Sequence, residues 1–222
     1  MTDIVGVTHL TVVNARFVRD PVWSLGIVSA LDLLLKNYPE KDMAEKIVSS
    51  LFQCVEMDKE QVYAEAAQLK AWATGKSVDD IAKALKGEAA TAEGDNILSN
   101  AAKAAKQDEY WMYSRFFGIG LLALMEATGQ VEMNADDVYP VMEDWMSNCL
   151  GKSHFTACSD SDTYFKIKNK LDMMETMMKE IEIREKKRMA QRLEDKAEAA
   201  LRKAERDAMM KEEERKEAAS KN

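Results

Sequence analysis

Residues 20–35 read Asp20-Pro21-Val22-Trp23-Ser24-Leu25-Gly26-Ile27-Val28-Ser29-Ala30-Leu31-Asp32-Leu33-Leu34-Leu35. Asp20 before Pro21 marks a helix start, because aspartate accepts the orphan amide hydrogen bonds of a first turn and proline is pre-set for its first position. The predicted helix runs to about Lys36, and Asn37-Tyr38-Pro39 ends it, since a residue before proline avoids the helical region. A helix this apolar belongs inside a bundle. A second amphipathic helix follows with Met43, Ile47, Leu51 and Val55 on one face, and the pair is expected to form an αα-hairpin.

Working outward, Asp58 opens a third helix whose Val62, Ala66, Leu69 and Trp72 share a face, with Gly75 placed for a left-handed cap. Ser77 and Asp80 have capping-box spacing ahead of a short helix stopped by Gly87. A polar connector is expected at 88–95 and a weaker helix at 97–106. Residues 110–127 form the most apolar predicted helix, capped by Gly129, and Asn134 begins another that is strained or restarted at Pro140 and ends at Gly151. Residues 152–161 read as a loop, and from Asp162 no glycine or proline occurs to the C-terminus. Ile167, Leu171, Met174, Met178 and Ile181 make a heptad-like seam, beyond which the apolar stripe thins to alanine and i,i+4 Glu/Lys and Glu/Arg pairs take over. The expected architecture is all-α: a helical bundle over 1–161 and a long, charged, coiled-coil-like helix over 162–222, its first part docked on the bundle and the rest in solvent.

Composition supports helix throughout, since three prolines and nine glycines punctuate 222 residues rich in Ala, Leu, Met, Glu and Lys. The net charge of −8 argues against nucleic acid as a partner, because phosphate neutralisation needs an excess of cations. That charge is uneven: residues 178–222 hold 14 basic and 12 acidic side chains, +2, leaving −10 for the rest. Three cysteines, Cys54, Cys149 and Cys158, at unmatched spacings read as thiols of a reducing compartment. The longest apolar run, 116–125, falls short of the roughly 20 residues that span a bilayer, and residues 1–9 carry neither a secretory nor a transit-peptide pattern.

Reactive chemistry finds little support. Gly118-Ile119-Gly120 has dinucleotide-loop spacing but sits within a predicted helix, where glycines serve close helix approach instead. Cys149, His154 and Cys158 would need a fourth zinc ligand, such as Cys54, and lack paired C-x-x-C spacing. Neither His9 nor His154 has a glutamate three residues before it, as a di-iron bundle would require. Asp32 and Arg115 stand out as charges in apolar helices, where a structural ion pair or cap is the favoured reading and partner recognition the alternative. Lys186, Lys187, Arg188 and Arg192 form the densest basic cluster, either a solvated face or a contact to anionic lipid or an acidic partner. No catalytic residue, cofactor or small-molecule substrate is expected.

Two motifs carry a family resemblance. The stretch from Asp20 and Pro21 through Gly26, followed by Asp32 and Tyr38-Pro39, and the later Tyr113-Ser114-Arg115-Phe116-Phe117-Gly118-Ile119-Gly120-Leu121 resemble the thylakoid formation protein family of cyanobacteria and chloroplasts. His9-Leu10, Val13-Asn14, Tyr63, Ala67 and Trp72-Ala73 fit the same pattern, over roughly His9 to the early 190s. The sequence departs from it at Ala66, where an acidic residue is usual, and in the loop from Cys149 to Cys158; a further helical segment ordinarily precedes the point where this chain starts. The resemblance implies a non-catalytic, thylakoid-associated factor for photosystem II biogenesis and repair that maintains the FtsH protease. Its implied partners are that protease and photosystem II components, with peripheral membrane contact. The rival reading is a structural coiled-coil adaptor whose tail homodimerises.

Overall fold

The computed structural model describes residues 2–87 and 93–220, and every regular element among them is helical. Short α1 (Thr2–Val12) precedes α2 (Pro21–Leu35), whose start is fixed as the sequence requires: the Trp23 amide donates to the Asp20 carboxylate at 2.8 Å and Pro21 takes the first helical position. Next come α3 (Lys41–Cys54) and α4 (Lys59–Ala73), the latter capped by Asp58. The capping box of Ser77 and Asp80 opens α5 (Val78–Lys86), and Gly87 ends it at φ +83°. The connector expected at 88–95 lies in part, at 88–92, outside the described residues; α6 (Glu93–Gln107) then begins within it.

The apolar helix α7 (Arg115–Thr128) starts later than the hydrophobic run suggests, a correction to the expected start near Tyr110. Ser114 accepts the Phe117 amide at 3.2 Å and so sets the first turn, while Trp111 stacks edge-on against Phe117 with centroids 5.0 Å apart. Trp111 and Tyr113, before Ser114, are thus apolar because they pack sideways on the bundle, not because they are helical. Asn134 caps α8 (Ala135–Glu143), which passes through Pro140 and widens into a π-helical turn, Asp144–Cys149, that buries Trp145 and Met146 completely.

The last helix, α9, runs Phe155–Ser220, so much of the expected loop at 152–161 is already helical. Two compact units divide the chain, Met1–Leu171 and Asp172–Asn222.

In the first unit α2 lies chiefly against α7 and then α4, while α3 lies against α4; the expected α2/α3 hairpin gives way to a central α2–α7 pair. The reason is apolar content: α2 and α7 bury nearly all round, so each seeks several neighbours, whereas α3 buries only Ala44, Val48, Leu51 and Phe52. Trp23, Ile27 and Leu31 of α2, Val62 and Leu69 of α4, and Leu121 and Leu124 of α7 are all at 1% exposure or less. Among its described residues the second unit is helix alone, and their large apolar side chains, among them Met174, Met178 and Ile181, are more than half exposed.

Candidate functional site

The expected motif residues converge on the α2–α7 pair and its two ends. At the centre, a Cβ on Gly26 would run into the Phe116 carbonyl and stand 2.8 Å from the Gly120 amide, and a Cβ on Gly120 would run into the Val22 carbonyl. The two glycines therefore face each other across the helix crossing and let the backbones touch. The dinucleotide spacing of Gly118 and Gly120 is used up in this packing: Gly120 meets α2, and a Cβ on Gly118 would collide with the Tyr113 hydroxyl.

One polar network sits at the start of α2. Arg19 donates to Glu65 Oε1 at 2.9 Å, and the fully buried Ser24 hydroxyl donates to Glu65 Oε2 at 2.7 Å, so a single α4 carboxylate ties α2 and its lead-in segment to α4. Beside it, the cap Asp20 is held up at about 6, chiefly by burial, with the Trp23 and Val22 amides opposing the shift and the Glu65 charge adding to it. Glu65 stands directly before Ala66, so an acidic group is present one position ahead of the residue at which the sequence departs from the family resemblance.

A second network fastens α9 to α7. Asp160, a buried carboxylate, accepts from Arg115 Nε at 2.9 Å through one oxygen and from the Tyr113 hydroxyl at 3.0 Å through the other. Burial first, then the Asp160 charge, pushes the Tyr113 phenol far above its ordinary range, so it remains a donor. Nearby, Tyr139 donates to Asp162 at 2.5 Å and Lys168 to Glu126 at 3.2 Å. Arg115 thus has the ion pair expected of it, and its guanidinium is half exposed at the rim of an apolar cleft of about 340 Å³. Leu33 and Leu34 of α2, Phe116 and Ile119 of α7, and Tyr164 and Ile167 of α9 line that cleft.

Asp32 differs from expectation. It lies exposed on the outer side of α2 beside Tyr63 and Lys59, because the apolar stripe around it belongs to the inner face and the aspartate to the turn between. Sequence reading missed Asp160 and Glu65. The signal for Asp160 is periodic: Ala157, Asp160, Ser161 and Tyr164 share one buried face once α9 is begun at Phe155.

The cysteine loop is a local arrangement. His154 Nδ1 and Ser147 Oγ are 2.9 Å apart, and Cys149 is buried against Asp144, which together with burial, the larger cause, pushes its thiol to about 11. Among the described residues no three His, Cys, Asp or Glu side chains are placed to hold a metal. No described helix is long and apolar enough to cross a membrane.

The sequence profile of the thylakoid formation protein family matches residues 1–193, which takes in the glycine crossing, both networks and the start of the tail. The chain belongs to that family. It is similar to the chloroplastic protein THYLAKOID FORMATION1 of Solanum tuberosum, 27% identical over 197 residues that make up 89% of this chain and 64% of the potato protein. The chain therefore spans less than two thirds of that relative. Protein Thf1 of Crocosphaera subtropica is 31% identical over 192 residues, covering 86% of this chain and 77% of the cyanobacterial one. The solved structure of Psb29 superposes with a TM-score of 0.61 at 20% identity, over 77% of this chain and 84% of that one, and so shares the helical fold.

Proposed function

We propose that this family member is a non-catalytic accessory factor of the thylakoid, in a chloroplast or cyanobacterium, which supports photosystem II biogenesis and repair and maintains the FtsH protease there. The observation that carries the reading is the family match across 1–193, reinforced by relatives whose names state thylakoid formation and a chloroplast location. The chemistry of the site is consistent with a scaffold. Glu65 and Asp160 are each engaged in joining helices, and the Cys149 thiol is held protonated. Asp20, Pro21, Gly26, Ser114, Arg115, Tyr113 and Gly120 serve the fold of the factor, while the partner contact lies elsewhere on its surface.

The test is complementation. The chain is expressed in a cyanobacterium lacking its own copy of the factor, and FtsH abundance and photosystem II recovery after strong light are followed. Restoration of both is expected; accumulation of the folded chain without either would overturn the proposal.

A further inference from the structure

The second unit, a helix, carries an asymmetry that its composition hides. Met173, Met174, Met177, Met178 and Ile181 are between 52% and 66% exposed, five large apolar groups within nine residues. At 3.6 residues per turn they share one sector of roughly 140°. Continuing that sector over 184–206 meets seven cations and two anions, Glu185 and Asp195. The glutamates at 182, 194, 198 and 205 lie outside it.

The four-residue basic cluster divides on this geometry. Lys186 pairs with Glu182 at 2.7 Å and lies about 160° from Arg188 round the helix. Lys187 also falls outside the sector, whereas Arg188, Arg192 and Lys196 fall within it and form no ion pair with any described residue.

We propose that this face of the second unit is a membrane-surface site: methionines 174, 177 and 178 with Ile181 enter the headgroup boundary of a bilayer, and Arg188, Arg192 and Lys196 rest on its anionic lipid headgroups. Neither half alone holds a protein firmly, but one apolar insertion joined to a row of cations is the combination that does. Unbranched methionines adapt to an irregular, fluid boundary better than a pre-shaped pocket would demand. Charge complementarity favours this occupant over a second copy of the chain. A parallel pairing through the same sector would set its cations against one another. A pairing through Leu193 and Ala197 would leave Met177 about 160° away, off the seam. Residues 1–177, at −10, contribute no attraction to an anionic surface, so the contact is local to the tail. The inference deepens the accessory-factor reading by giving it a membrane contact, yet its test uses no photosynthetic component and succeeds or fails independently.

The full chain is mixed with sedimenting vesicles of phosphatidylcholine alone, or of two parts phosphatidylcholine to one part phosphatidylglycerol, with helicity checked by circular dichroism. Binding to the anionic vesicles only, weakening as salt rises, is expected. Arg188→Glu with Arg192→Glu should lower the partition coefficient by about tenfold or more, and Met177→Asp with Ile181→Asp likewise, at unchanged helicity. Lys186→Glu with Lys187→Glu makes the same change in net charge off the face and should stay within about twofold of the parent. Absence of binding to anionic vesicles would overturn the proposal. So would equal loss in the two charge-reversal pairs, which would indicate bulk attraction. A third overturning result is a dimer in sedimentation velocity, dissolved by the Met177/Ile181 pair, without vesicle binding.

Discussion

Gly120 and Gly26 show how narrow the tolerance of a single residue can be. Their missing side chains are occupied by carbonyls of the opposite helix rather than by flexible groups, so even a methyl has nowhere to go without parting α2 from α7. Gly120→Ala should therefore destabilise the first unit by about 3 kcal/mol, the upper end of ordinary overpacking, and lower its melting temperature accordingly. An unchanged melting temperature would show that the crossing can relax. Asp20 gives a second prediction at this scale, through pH. A carboxyl raised to about 6 in the folded state contributes stability that is full below its unfolded value near 3.9 and is lost as pH rises through 6. Asparagine caps a helix as well as aspartate does and carries no charge to bury. Asp20→Asn should thus gain on the parent by about 2 kcal/mol between pH 4 and pH 7, read from urea denaturation at both pH values. A difference that stays constant across that window would refute the assignment.

Elements were legible in the sequence wherever a local cap declares them. Asp58, Ser77 with Asp80, Asn134 and the glycines at 87 and 129 all stand where their turn chemistry put them. Starts were misplaced where burial and helix part company. The aromatics at 110–113 are apolar but lie outside α7, and residues 155–161 are largely polar yet helical, because Asp160 faces inward to Tyr113 and Arg115 while the buried Ser161 hydroxyl donates to the Ala157 carbonyl of its own helix. No local pattern announces a polar residue whose partner is 45 or more positions away, as Asp160 is from Arg115 and Tyr113, or Glu65 from Arg19. Partner choice among helices was illegible for a related reason: adjacency in sequence favours a hairpin, but the wide apolar faces of α2 and α7 outweigh it. The second unit yields the element-scale prediction. Its helix rests on pairs such as Glu175–Lys179 at 2.7 Å and Glu198–Arg202 at 3.2 Å, each worth only about 0.3–0.5 kcal/mol, and buries almost no apolar side chain. Circular dichroism should resolve an early, broad loss of helix separate from the main transition, and limited proteolysis should cut first between Arg188 and Arg206. A single cooperative transition without early cleavage there would count against it.

At the scale of the molecule, stability draws on the first unit, and the proposed membrane contact on the second. The first unit holds the apolar core and the clasps of Asp160, Asp162 and Glu126, so it has what folding requires. The second, Asp172–Asn222, adds little to the core, and the proposed attraction of its charged face to a membrane should weaken with salt. A chain truncated after Lys187 keeps the methionine patch and removes Arg188, Arg192 and Lys196 together. It is expected to melt within a few degrees of the parent's main transition, since the lost segment has no buried large apolar residue. In a cyanobacterial host lacking its own factor, the same truncated chain should fail to restore FtsH abundance and photosystem II recovery after strong light, although it accumulates as well as the full chain. Full rescue by residues 1–187 would place the working surface on the helical bundle, where the rim of the Arg115 cleft would be the next region to mutate. Loss of rescue accompanied by loss of the folded bundle would instead show that the tail is needed for folding and defeat the division of labour proposed here.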